Sequence, residues 1–147
     1  MQFFLYGDNL NLSQLTRRAP EHKPVCKAYL PDHTVHFCRW STQWRCGLPS
    51  VTPSPGEKVW GMIFEITEED LKLLDEFEHD VPEGTYHHLP VTVITEAGDK
   101  LLVTTHAAKP IGKFKPKAHY LDWVIKGLKH WTLPEECIET WKSFTPK

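Results

Sequence analysis

No strong charge of either sign marks this chain. Its 17 Lys and Arg stand against 19 Asp and Glu, a formal charge of −2, and without a basic field nothing holds a polyanion by counterion release. Nucleic acid is therefore not an expected partner. Long apolar runs are also missing. The opening Phe3-Phe4-Leu5-Tyr6 has no positive leader and stops at Gly7-Asp8, far short of a signal peptide's hydrophobic stretch or a membrane span. The expectation is a cytoplasmic protein with no membrane partner. Cysteine is sparse. Cys26, Cys38, Cys46 and Cys137 form no C-x-x-C pair, and disulfide frameworks belong to shorter secreted chains, so all four read as reduced thiols. There are nine histidines, but no H-E-x-x-H and no Cys/His cluster with zinc spacing, so neither metal nor other cofactor is expected. His87 and His88 are adjacent, and on a strand they would point to opposite faces, one packed and one solvated. Repeats, low-complexity tracts and long linkers are absent too, which removes solenoids and arrays.

What is present suits one hydrophobic core. A chain of 147 residues with 40% apolar content can bury enough surface to fold unaided, as a single domain over residues 1–147. Gln2 to Tyr6 reads as a buried strand ending in a glycine turn. Asn11 with Gln14 three residues on is a capping-box signal for a short helix ending before Pro20. Val25 to Leu30 and Thr34 to Cys38, separated by Pro31-Asp32-His33, read as a hairpin, followed by a polar loop from Trp40 to Gly47. Leu48 to Thr52 is a short strand closed by the turn Pro53-Ser54-Pro55-Gly56, and Lys58 to Ile66 is the strongest strand of all. Thr67 and Asp70 box the start of a helix over Glu68 to Glu78, with Leu71, Leu74 and Phe77 on one stripe. Thr85 to Thr95 and Lys100 to Ala107 form a second hairpin through Glu96-Ala97-Gly98-Asp99. After a lysine-spaced loop, Lys109 to Lys117, a helix from about Lys117 to Trp131 carries Tyr120, Leu121, Val124, Ile125 and Leu128 on one face. Pro134 opens a last short helix. Strands and helices do not alternate regularly enough for a doubly wound sheet. The expected fold is α+β, a small mixed β-sheet able to close into a barrel, flanked by helices.

Three segments could share a site. In Tyr6-Gly7-Asp8-Asn9-Leu10 a strand breaks before a helix, and such a turn exposes backbone N–H groups that can hold a carboxylate or a developing oxyanion. Glycine also serves turns for geometry alone. In Leu73-Leu74-Asp75-Glu76-Phe77-Glu78, Glu78 follows an apolar residue at a helix end. A carboxylate at the edge of a core is partly desolvated, which moves its pKa toward the range useful for acid–base work. A solvated helix-end glutamate has the same spacing. The third segment, Gly47 to Val51 continued by Ser54 to Gly61, sets turns and is not catalytic by its own chemistry.

Together these segments resemble the gamma-glutamylcyclotransferase family, also called AIG2-like. The strings are YGDNL, GLPSVTPSPGEKVWG, LLDEFE, GTYHHLPVTV, and Tyr120 through GLKHWTLPEE. They cover nearly the whole chain, and YG-x-NL, SPG-x-x-VWG and LD-x-x-E in series are specific. The resemblance implies intramolecular aminolysis, in which the α-amine of a γ-glutamyl amide attacks its own γ-carbonyl and releases an amine and 5-oxoproline. It implies Glu78 as the acid–base residue, with Tyr6, Gly7, Asp8, Asn9, Leu10 and Tyr120 binding substrate. It needs no cofactor, only a small γ-glutamyl substrate and a monomer or homodimer.

Four departures stand out: Asp8 where serine is usual, His79-Asp80 where glycine is common, Pro49-Ser50 for alanine-threonine, and Lys115-Pro116-Lys117 for proline-serine. Two like charges about 4 Å apart at an effective dielectric near 20 repel by roughly 4 kcal/mol, so an Asp8 facing a substrate carboxylate would oppose binding. Either Asp8 turns away to cap local amides, or it pairs with the α-ammonium, or the substrate is a nonstandard one without a free carboxylate. His79 and the lysine run read as solvated surface. Two other readings keep the same fold: a noncatalytic small-molecule-binding protein, and an enzyme using Glu78 for a different proton transfer.

Overall fold

The computed structural model describes residues 1–42, 44–76 and 85–144. Within them five strands close into a barrel in the order β1-β3-β2-β4-β5. The strands are β1 (Gln2–Leu5), β2 (Lys23–Ser41), β3 (Cys46–Glu65), β4 (Tyr86–Thr95) and β5 (Lys100–Ala108). The seam is the parallel pairing of β1 with β5, Phe3 opposite Thr104 and Phe4 opposite Thr105; the other neighbours run antiparallel. The helices are α1 (Leu12–Arg18), α2 (Glu68–Glu76), α3 (Ala118–His130) and α4 (Glu135–Lys142). The α+β class, the mixed sheet and its closure all stand as expected.

The middle of the barrel differs from the sequence expectation. Val25 to Leu30 and Thr34 to Cys38 are not two strands of a hairpin but parts of the continuous β2. That strand pairs with β3 from Lys23 opposite Glu65 to Ser41 opposite Cys46. The expected turns at Pro31-Asp32-His33 and Pro53-Ser54-Pro55-Gly56 face one another as irregularities in this ladder. Pro31 pairs with Lys58 and His33 with Pro53, so one residue is extruded from β2 and four from β3. Proline lacks the N–H a ladder needs, and a bulge accommodates it as well as a turn does. Asp32 and Gly56 take positive φ of 56° and 84°, and the Gly56 amide donates to Asp32 Oδ1 at 3.0 Å. Both strands run on into the polar loop expected from Trp40 to Gly47, β2 as far as Ser41 and β3 from Cys46.

The helices start at their signals, and the expected end of the second, Phe77 and Glu78, lies outside the described residues. Asn11 Oδ1 accepts from the Ser13 amide at 3.1 Å and caps α1, while Gln14 is drawn elsewhere instead of closing the box. Thr67 Oγ1 accepts from the Asp70 amide. Asp70, buried, reaches across to the Glu21 amide at 3.4 Å. Inside, Phe3, Phe4, Ile63, Phe64, Leu74, Tyr120 and Trp141 are fully or almost fully buried, each large apolar side chain contributing about 2–3 kcal/mol by leaving water.

Two contacts fix the turn after β1. Gly127 of α3 lies flat against it: a Cβ there would sit 2.5 Å from the Asn11 nitrogen and 2.5 Å from the Leu10 carbonyl carbon. Trp131 Nε1 also donates to the Leu10 carbonyl at 2.9 Å, and Asn11 Nδ2 donates to the Trp123 carbonyl at 3.0 Å. The loop over residues 109–117 is pinned down rather than free. The Ile111 and Phe114 amides bond the Cys38 and Phe37 carbonyls, and the Gly47 amide bonds the Lys115 carbonyl. Lys109, Lys113 and Lys115 are exposed, as a solvated run would be.

Candidate active site

Where β1 ends, the chain makes one 3-10 turn, Asp8–Leu10, before α1 begins. Its internal bonds run from the Leu10 amide to the Gly7 carbonyl and from the Asn11 amide to the Asp8 carbonyl, both 3.0 Å. A single turn satisfies only its last amides, so those at its head are the ones a ligand can reach. This turn forms one wall of a cleft of about 560 Å³, counted out to open solvent.

Of the residues expected at the site, Tyr6, Gly7, Asp8, Asn9 and Tyr120 line this cleft. Leu10 does not. Its side chain is fully buried in the core, and its amide and carbonyl are both engaged, so it anchors the turn from behind. Glu78, with Phe77, His79 and Asp80, lies outside the described residues. Tyr6 reaches across the barrel seam, its hydroxyl donating to the His106 carbonyl at 2.8 Å. Gly7 is not required by crowding. A Cβ there would meet nothing nearer than Pro49 Cγ at 3.9 Å and the Tyr120 hydroxyl at 4.0 Å, so the glycine keeps open the space between them.

Asp8 does not face the cleft alone but is held by two side chains of α1. Its Oδ2 accepts from Gln14 Nε2 at 2.7 Å and lies 3.5 Å from Arg18 Nη1. Arg18 also donates to Asn9 Oδ1 at 2.8 Å, and Gln14 Nε2 contacts the same oxygen at 3.1 Å. Gln14 is held in turn by Trp123 Nε1, which donates to its Oε1 at 3.0 Å. One turn of α1 separates Gln14 from Arg18, so both project toward the 3-10 segment. Arg18, which lines the cleft, thus supplies the counter-charge that the sequence reading did not provide for Asp8.

The opposite wall comes from the β2–β3 tip and from β4 and β5. Trp44, Leu48, Pro49, Tyr86, Thr105 and His106 contribute to it. Trp44 packs edge-on to Tyr120 at 5.2 Å between ring centroids, and the Tyr86 hydroxyl donates to the Pro49 carbonyl at 2.8 Å. Beside this wall, His106 Nε2 and His88 Nε2 lie 2.7 and 3.0 Å from one oxygen, Asp75 Oδ1. Burial opposes ionisation of Asp75, but hydrogen bonds from His106 and His88, and their charge, outweigh it and hold the carboxyl below its ordinary range. His87 and His88 are both exposed, not one packed and one solvated, although His88 still meets Phe3 and Asp75 on one side.

A model of the AIG2-like family matches residues 58–140, and the chain belongs to that family. It is 29% identical to the human gamma-glutamylcyclotransferase over 98% of its own length and 78% of the human protein. The mouse gamma-glutamylcyclotransferase is 28% identical with the same coverage of both chains. Among solved structures, a gamma-glutamyl cyclotransferase superposes with a TM-score of 0.92 at 28% identity, over 100% of this chain and 89% of that one. No helix among the described residues is long and apolar enough to cross a membrane.

Proposed function

We propose that this protein is a gamma-glutamylcyclotransferase. The observation that carries the reading is the cleft in which Tyr6, Gly7, Asp8, Asn9 and Tyr120 meet, in a chain similar along nearly its whole length to enzymes of that name. In the reaction the α-amine of a γ-glutamyl amide attacks the γ-carbonyl carbon. The new C–N bond closes the five-membered ring of 5-oxoproline, and the amide C–N bond breaks to free an amine. Nucleophile and electrophile are tethered, so the protein's task is to fold the substrate, steady the oxyanion and move a proton. Glu78 takes a proton from the α-ammonium and returns it to the leaving amine. The amides at the head of the 3-10 turn face the γ-glutamyl group.

Arg18 bears on substrate choice. With Asp8 paired to it, the turn carries no net charge, so a γ-glutamyl head with a free α-carboxylate meets no excess repulsion. A nonstandard substrate is not needed to explain Asp8. The four cysteines form no disulfide, which suits the reducing cytoplasm. Incubation with a panel of γ-glutamyl amides tests the reading by mass spectrometry. Equal amounts of 5-oxoproline and free amine are expected, with loss of turnover in Glu78→Gln. Binding without 5-oxoproline would make the protein a noncatalytic binder.

A further inference from the structure

Asp75, His88 and His106 come from α2, β4 and β5, and their ligand-capable atoms all lie within 4.8 Å of one another. No sequence motif announces them, since 13 residues separate the aspartate from the first histidine and 31 from the second. The two imidazoles do not merely lie near the carboxylate. Both Nε2 atoms converge on the single oxygen Asp75 Oδ1, at 3.0 and 2.7 Å.

The rings are held in that attitude. Phe3 meets the His106 ring at 4.8 Å and the His88 ring at 5.9 Å between centroids, and the His106 backbone is fixed by the Tyr6 hydroxyl. His106 is buried, its side chain 7% exposed, while Asp75 and His88 are 42% and 41% exposed. The cluster thus has an ordered floor and an open mouth.

We propose that Asp75, His88 and His106 form a binding site for a divalent transition metal ion, zinc being the best match, with the fourth position open to water. Two imidazoles and one carboxylate are donors that suit zinc and its neighbours, whereas magnesium and calcium call for oxygen-rich shells. Bonds of about 2.0–2.1 Å in a tetrahedral shell set ligand atoms roughly 3.3 Å apart. The oxygen–nitrogen separations of 2.7 and 3.0 Å need to open by about 0.6 and 0.3 Å, and the two nitrogens, within 4.8 Å of one another, to close by up to about 1.5 Å, to admit the ion. On binding, each Nε2 gives up its hydrogen bond to Oδ1 and its proton, a neutral ring moving that proton to Nδ1 and a doubly protonated ring releasing it to solvent, so that the freed lone pair coordinates the ion. The carboxylate oxygen becomes the third ligand. The site borders the cleft, which His106 also lines, and it stands independently of the cyclotransferase reading because it is read by binding and not by turnover.

The test uses tag-free protein stripped with a chelator, then titrated with zinc against a chromophoric competitor. Wild type is expected to take up one zinc per chain, with affinity lowered at least about 100-fold in both His88→Ala and Asp75→Asn. Cobalt substituted for zinc should give visible d–d absorption with no near-ultraviolet thiolate charge-transfer band. His88 is exposed, so its removal leaves the fold intact, and circular dichroism verifies this. Zinc binding equal in wild type and His88→Ala, no binding by wild type, or a thiolate band pointing to the cysteines would each overturn the proposal.

Discussion

Replacing Asp8 with asparagine removes one negative charge from the cleft wall and little else. The amide oxygen is the same shape and can still accept from Gln14 Nε2, which now donates to Asp8 Oδ2 at 2.7 Å. What disappears is the negative charge facing Arg18, whose Nη1 lies 3.5 Å away. A substrate carboxylate about 6 Å from Asp8 is repelled by roughly 3 kcal/mol at an effective dielectric near 20. The two side chains are 24% and 14% exposed, and ionic screening at a cleft mouth reduces the net effect to on the order of 1 kcal/mol, or ~5-fold in affinity. Asp8→Asn should therefore bind a γ-glutamyl dipeptide more tightly, the gain shrinking with added salt. Arg18→Gln should shift affinity the other way and further, since it also loses the hydrogen bond to Asn9 Oδ1. The pair itself contributes less than about 1 kcal/mol to folding, so neither variant should unfold. Quenching of tryptophan fluorescence, with Trp44 in the cleft wall, reads the dissociation constant. Weaker binding by Asp8→Asn, or shifts of the same sign in both variants, would refute the charge reasoning.

Gly7→Ala should fold normally, its stability within about 0.5 kcal/mol of wild type, because the new methyl meets only ordinary contacts. Its turnover should fall on the order of tenfold, since the methyl occupies the space between Pro49 and Tyr120; an unimpaired enzyme would show that this space is not used. Gly127→Ala faces the opposite situation, with its Cβ 2.5 Å from backbone atoms of Leu10 and Asn11. Overpacking of about 2–3 kcal/mol outweighs the roughly 1 kcal/mol gain in helix propensity, so the urea midpoint should drop; an unchanged midpoint would contradict the close packing of α3 on the turn. Burial, aided by the neighbouring Glu136 carboxylate, pushes the Cys137 thiol up to about 12. Thiolate is the reactive form and stays scarce until pH approaches that value, so at mildly alkaline pH iodoacetamide should label the partly exposed Cys26 well before Cys137. Mass mapping that finds Cys137 labelled first would contradict its burial.

Much of the fold was legible because its signals are local. Asn11 and Thr67 cap α1 and α2 where they stand, the stripe of Tyr120, Leu121, Val124 and Leu128 faces the core of α3, and the β4–β5 hairpin follows its alternation. The β2–β3 ladder is hidden from the sequence for a physical reason. Pro31, Pro53 and Pro55 look like turn residues one segment at a time, and only their meeting across two long strands turns them into facing bulges. At the site, Tyr6 to Asn9 could be found because a contiguous string carries them. Arg18 could not, since its pairing with Asp8 depends on the 3-10 turn folding back over α1. A cation one helical turn beyond Gln14 was the available clue. Asp75, His88 and His106 were less visible still, being brought together by the barrel alone.

The most direct test of the account is single-turnover product analysis of the purified protein and its Glu78→Gln variant with a γ-glutamyl dipeptide. The wild type is predicted to release 5-oxoproline and the free amine in equal amounts, and the variant to bind the dipeptide but release neither. Full 5-oxoproline release by Glu78→Gln, or none by the wild type on any γ-glutamyl amide, would contradict it.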